Sequence, residues 1–312
     1  MVQFNFPLRA ACLWLAATAS LGPATQALAE TPRETIGTMA LFTNDTLGDR
    51  QDRWRTGAFS YSVIRAPGWD SALPATPFSV MEYRFRGEAI SPDNTRNPAR
   101  GDRLYAGTLW VGAHTHYNLT GYDITAGADI AVTGEQSGVR RFQAGLHDLF
   151  SMSRVGLENY QVEDGVYLHG TLEIARPLSW QNGEFRPFVE LQGGVETLAR
   201  AGFDLTFGSL GQSGLRARDP ITGQRIGAVT GIEDQGGWSF LLGADTAYVE
   251  SSIFLPEDRG FRAEEDRHRA RFGVNYGLGL TNIFYGVTWT SEEFVGQPES
   301  QAVGSLSFDI RF

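Results

Sequence analysis

Four side chains of different chemistry stand out in this 312-residue chain: His147, Asp45, Asn44 and Thr56. An imidazole of unperturbed pKa about 6.5 is largely neutral at pH 7 and can accept a proton. Beside it, a carboxylate, an amide and a hydroxyl would complete a set suited to ester hydrolysis. The segment SPDNTRNPARGDR adds the cations Arg96, Arg100 and Arg103 around Asp102. Gathered at one place, these groups are the inventory for hydrolysing an anionic lipid. Taken singly, each has a plain structural explanation. Asn44-Asp45 is an ordinary turn pair, and Thr56 an ordinary strand residue. Asp102 and Arg103 would make a rim ion pair of little energetic weight, and the loop arginines would be solvated. The elements that carry these residues therefore decide between the two readings.

His147 lies in EQSGVRRFQAGLHDLFSM, residues 135–152, the one segment that reads clearly as an amphipathic helix. Val139, Phe142, Leu146, Leu149 and Phe150 fall on one helical face. Gln143 precedes His147 by one turn and shares its side of the helix. The rest of the chain is written in strand language. Leu306, Phe308, Ile310 and Phe312 alternate with Ser305, Ser307, Asp309 and Arg311. Phe59, Tyr61 and Val63 alternate with Ser60 and Ser62. Several runs reach the length that a tilted membrane-spanning strand needs. The pattern predicts strands over 35–43, 56–65, 78–90, 103–116, 119–132, 162–176, 184–196, 200–208, 237–250, 267–279, 282–292 and 301–312. Twelve is an even number, which sets both termini on one side of a single antiparallel transmembrane β-barrel, all-β but for the helix. The connections after the first, third and fifth strands, 44–55, 91–102 and 133–161, then share the opposite, cell-exterior rim, and these carry Asn44-Asp45, the arginines and His147. Residues 209–236 break the rhythm, as a long Gly/Arg-rich segment on the predicted inner side. His114 and His116 face the same way on the fourth strand, near the inner turn, and read as structural.

Residues 1–29 read as a secretory signal peptide, with Arg9 before the apolar run and Ala27-Leu28-Ala29 as the cleavage motif, leaving 30–312 as the barrel domain. Cys12, the only cysteine, falls inside that signal, so no disulfide framework is expected. A net charge of −10 argues against a nucleic-acid partner. Histidine apart, all 26 basic side chains are arginine, the cation that binds phosphate bidentately, though a genome-wide preference for arginine gives the same count.

With the elements in place, the chain resembles the outer-membrane lipid A 3′-O-deacylases. The resemblance rests on Thr43-Asn44-Asp45, Asp52-Arg53 with Thr56-Gly57, and Gly101-Asp102-Arg103-Leu104-Tyr105-Ala106-Gly107. It continues with Gln143-x-x-x-His147 and Ser291-Glu292-Glu293-Phe294. It implies a twelve-stranded barrel whose active site lies between the wall and an extracellular helix. It implies a calcium-dependent hydrolase that removes the 3′-linked acyloxyacyl group of lipid A, a lipopolysaccharide component. His147 would be the general base on water, Asp45 a ligand to Ca²⁺, and Asn44, Thr56 and Gln143 the surrounding site. Arg96 and Arg100 would bind the head group. The expected setting is a monomer among outer-membrane lipids. The chain departs from the family pattern at Thr46, where a second acid is common, and in the second loop, where the basic pair is reduced. Two other classes fit parts of the sequence. A non-catalytic barrel, pore or scaffold, needs no histidine in the third loop. A serine-type outer-membrane phospholipase needs serine beside histidine; Ser151 and Ser153 follow His147, but no serine stands at a matching strand position.

Overall fold

The computed structural model describes residues 32–312 apart from 100, 150–156, 158–159, 209–212, 231–235, 279–280 and 311–312, and apart from the side chains of 146–149 and 310. The signal-peptide assignment, and with it Cys12, lies outside the described residues.

Fifteen strands are present among the described residues: β1 Glu34–Asn44, β2 Trp54–Ala66, β3 Val80–Ser91, β4 Ala106–Leu119, β5 Tyr122–Thr133, β6 Gly165–Ala175, β7 Leu178–Trp180, β8 Gly183–Gly193, β9 Glu196–Gly208, β10 Leu215–Arg218, β11 Arg225–Val229, β12 Gly237–Ser252, β13 Asp266–Leu278, β14 Thr281–Thr290 and β15 Gln301–Ile310. Consecutive wall strands pair antiparallel, β1 pairs with β15, and β6 pairs with β8. The short β7 continues the line of β6 along β8. It resumes after Arg176-Pro177, where proline offers no N–H to the ladder. The wall is therefore a closed, twelve-stranded antiparallel barrel, in the positions the alternation predicts. Closure gives every wall strand a neighbour on both sides, the condition for strands to lie in lipid. No helix among the described residues is long and apolar enough to cross a membrane.

Alternation sorts the side chains. Phe42, Phe59, Tyr61, Phe85, Val111, Ile130, Tyr285, Leu306 and Phe308 are exposed on the outer face. Ser60, Ser62, Glu82, Arg84, Arg86, His114, Asp129, Arg269 and Arg271 are buried on the inner one. The troublesome segment after β9 resolves here as a plug. β10 and β11 form their own two-stranded hairpin, and one face of it, Leu215, Ala217, Ile226, Ala228 and Val229, packs on the inward Met39, Leu41, Ile64 and Phe284. Its other face carries arginines into lumen carboxylates. Arg218 donates to Glu173 at 2.5 Å and to Asp204 at 2.6 Å, and Arg225 to Glu184 at 3.0 Å. The hairpin tip is built on Asp219, whose carboxylate accepts from the Thr222 backbone N–H and hydroxyl. Arg269 donates to the tip carbonyl of Ile221 at 3.0 Å.

The other mouth is covered by the β12–β13 connection. Phe254 packs with Trp110, Val162 and Val195, and Leu255 with Trp54 and Phe294. Between plug and cap remains a polar cavity of ≈ 100 Å³. His114 and His116 belong to this interior, paired with Asp129 at 3.2 Å and Glu82 at 2.8 Å. Their structural reading holds.

Candidate active site

The rim site begins where β1 runs out. Thr43 faces inward and hydrogen-bonds Ser305 at 3.1 Å, so Asn44, the next residue, takes the outward phase. Its Oδ1 accepts from the Thr46 N–H at 2.8 Å, and its Nδ2 donates to the Thr56 carbonyl at 2.6 Å. Asn44 thus closes the turn after β1 and clips that turn to β2. The clip falls at a β-bulge, since the β2–β3 register slips between Trp54 and Gly57. Trp54 sits there with φ +49°, a conformation that bulky residues adopt only when held. Burial against Leu255 and Phe294, with the Arg53 guanidinium 4.2 Å above its ring, holds it.

Asp45 is wholly buried. Its carboxylate accepts from the Thr46 N–H at 2.8 Å and the Arg53 N–H at 2.7 Å. Burial pushes its pKa up to about 8, the Arg53 N–H works against that rise, and the nearby Asp52 and Asp49 add to it. A carboxylate in this position favours a proton or a cation. Thr56 is buried, and its hydroxyl donates to Asp52 at 2.5 Å. Asp52 is part of the recognised sequence pattern but had no role there; here it fixes the Thr56 hydroxyl.

The helix α1, Val139–Leu149, lies over the outer face of β3 and β4. Val139 packs on Ala89 and Tyr105, and the Tyr105 hydroxyl donates to Gln143 at 2.9 Å. Gly107 permits this seat, because a Cβ there would stand 3.0 Å from that of Val139. The wall-facing side is therefore Val139 and Gln143. This corrects the apolar face read from sequence, because Phe142 is 69% exposed. Tyr105 belongs to the sequence pattern Gly101–Gly107 but carried no assigned role there; here it anchors the helix.

The ladder register brings the two halves together. Asn44 pairs with Gly57, Gly57 with Ala89, and Ala89 with Gly107. Three strand spacings make about 14 Å. On the outer face the cleft is thus the step between Asn44 and the edge of α1, floored by Gly57, with Ala89 and Gly107 already covered by the helix. The backbone of His147 lies on α1, one turn beyond Gln143; its side chain, like the whole of Arg100, lies outside the described residues. Arg96 is exposed in the β3–β4 connection, its backbone N–H bonded to Asn94 at 2.9 Å.

Arg103 corrects another expectation. It does not pair with Asp102 but turns inward to Glu293 at 2.6 Å. Glu293 also takes Arg55 at 2.5 Å. Burial alone would raise the Glu293 pKa, but Arg55 and Arg103 hold it well below the usual carboxylate range. The Glu293-Phe294 element of the sequence pattern is thus a structural clamp beneath the rim. Among the described residues no group of three or more His, Cys, Asp or Glu side chains is placed to hold a metal. The oxygens of this turn are hard ones: the Asp45 carboxylate and the Asn44 amide oxygen both accept from the Thr46 N–H, and the Thr56 carbonyl accepts from Asn44. They suit a cation such as calcium in type, with backbone oxygens and water completing its six to eight ligands.

A closed twelve-stranded barrel with a filled lumen, a lipid-side cleft and a helix laid over its wall defines an outer-membrane β-barrel protein with a rim site. The chain matches the family model "Outer membrane protein LpxR" over residues 11–312 and belongs to that family. LpxR from Salmonella typhimurium has the same fold, with TM-score 0.74, 15% identity, and coverage of 88% of this chain and 100% of that one. The β domain of the Bordetella autotransporter Brka and the NanC porin are more remote. Both have TM-score 0.43, with 12% and 5% identity over 88% of this chain and 99% and 100% of theirs. No curated protein matches the sequence.

Proposed function

We propose that this protein is a lipid A deacylase that hydrolyses the 3′-linked acyloxyacyl ester at the outer leaflet. The observation that carries the reading is the placement of the cleft. Asn44, at the end of β1, takes the outward phase and so opens towards the lipid-facing side of the wall, where an ester of a membrane lipid arrives laterally.

His147, one turn from the anchored Gln143, is the general base. It takes a proton from water as the water oxygen attacks the ester carbonyl, and returns that proton to the departing sugar oxygen. The products are the free acyloxyacyl acid and the 3′-hydroxyl. Asn44 and Thr56 orient the carbonyl end of the substrate, and Gln143 holds the helix register. Asp45 would hold Ca²⁺, which when bound supplies positive charge at the developing oxyanion. Arg96 and Arg100 bind the anionic head group.

The filled lumen weighs against a pore. The serine alternative rests on Ser151 and Ser153, which lie outside the described residues. The test is mass spectrometry of lipid A from cells expressing the protein, with and without chelator. Loss of the 3′-linked acyloxyacyl mass is expected, and its suppression by chelator and by His147→Ala. Unaltered lipid A would defeat the reading, and chelator-resistant cleavage would remove calcium from it.

A further inference from the structure

The outer wall beneath the cleft carries a strip with almost no side chains. The rim row across β1 to β4 is Asn44, Gly57, Ala89 and Gly107. The outward row below it is Phe42, Phe59, Gly87 and Leu109, and the next is Ala40, Tyr61, Phe85 and Val111. Exposure of Phe42, Phe59, Tyr61, Phe85 and Val111 confirms that these rows face outward. Gly57 and Gly87, both half-buried, therefore leave a trough that starts at the rim beside the covered Ala89, passes between Phe59 and Leu109, and stops at Phe85. It enters under the edge of α1, since Val139 packs on Ala89.

Its dimensions fit one hydrocarbon chain. From Ala89 to Phe85 the strand covers about 13 Å, and β2 to β4 about 10 Å. Nothing in the backbone demands glycine at position 87. It has no positive φ, and a Cβ there would meet only the Leu109 Cδ2 at 3.5 Å, an ordinary contact. Glycine inside a strand gives up packing and order, and often marks a place where a ligand comes close. At the upper end the trough is continuous with the site, since a Cβ on Gly57 would stand 3.4 Å from the Asn44 amide nitrogen.

We infer that this trough is the binding groove for the fatty acyl chain whose ester is cut, with Gly87 as its opening and Phe85 at its lower end. The inference rests on the deacylase reading and adds the element that selects the chain. The ester carbonyl sits at Asn44 and Thr56, and the methylenes lie over Gly57 and Gly87.

The test fills the trough. Gly87→Phe is compared with wild type in detergent micelles, using 4-nitrophenyl palmitate and 4-nitrophenyl butyrate. Palmitate-ester hydrolysis should fall about tenfold or more, while butyrate-ester hydrolysis changes less than about twofold. Ala128→Phe, also exposed on the wall but on β5, should change neither. Strand positions accept phenylalanine well, and an unchanged heat-modifiable gel shift checks the fold. Equal losses on both esters, or none, would overturn the groove. Binding is read separately by native mass spectrometry with palmitic acid, which wild type should retain and Gly87→Phe should not. If wild type cleaves neither ester, palmitate retention alone decides the groove, and the lipid A assay decides the hydrolytic reading. Retention by both proteins, or by neither, overturns it.

Discussion

At the scale of single residues, Asp45 and His147 carry the sharpest expectations. With its pKa up to about 8 in the metal-free protein, Asp45 is about nine-tenths protonated at pH 7. A cation binding there must displace that proton. Calorimetry at pH 7 in buffers of different ionisation enthalpy should therefore show close to one proton released per calcium bound, and none for Asp45→Asn. The stability consequence has a definite sign. The folded-state pKa lies above the ordinary carboxylate value, so the contribution is present below about pH 4 and is lost as pH rises through about 8. In chelator the thermal midpoint should fall across that window and level off above it, and saturating calcium should reverse the trend. For His147→Ala, deacylation should drop by roughly 10²- to 10⁴-fold, the usual contribution of a general base. Retention of more than about half of the activity would return the helix to a structural role.

At the scale of elements, α1 has to be held at a fixed height over the wall for its histidine to serve the cleft. Among the described residues, the hydrogen bond from Tyr105 to Gln143 and the permissive Gly107 set that height. Tyr105→Phe removes a bond of about 0.5–1.5 kcal/mol. The expected result is a roughly 2- to 12-fold fall in turnover, with proteolysis within 139–149 accelerated and barrel melting unchanged. Gly107→Val should act more strongly, because the added methyl groups must displace Val139. A variant with normal activity and normal protease resistance would show that α1 is not seated as described.

For the whole molecule, the plug and cap turn a barrel of channel-like outline into a solid body. Polar side chains dominate its interior, and buried ion pairs contribute little net stability while punishing the loss of one partner. Arg218 is bound by both Glu173 and Asp204. Arg218→Met would take one partner from each of two buried carboxylates, leaving Glu173 with Arg186 and Asp204 with Arg271, and should cost less than the about 3–5 kcal/mol of a fully unpaired buried charge, read as a lower temperature of the heat-modifiable gel shift. Activity per folded molecule should be retained, because the hairpin lies in the lumen and the cleft on the outer face.

The sequence alone determined the wall. Period-2 alternation is a local property, so eleven-residue runs such as β6 and β8 are visible without knowing their partners. It also placed Asn44, Asp45 and Thr56 at one rim, because consecutive hairpin strands bring neighbouring turns together. Tertiary structure decided what local pattern cannot encode. Phe142 and Val139 both satisfy a helical apolar face, and only the docking of α1 on Tyr105 and Gly107 chose Val139. The hairpin β10–β11 alternates like a wall strand. Its arginines send it inside because the carboxylates that receive them lie on β6, β8 and β9. Arg103 left its neighbour Asp102 for Glu293, 190 residues away. A buried guanidinium requires a buried partner, and which carboxylate is buried is settled only once the barrel has closed.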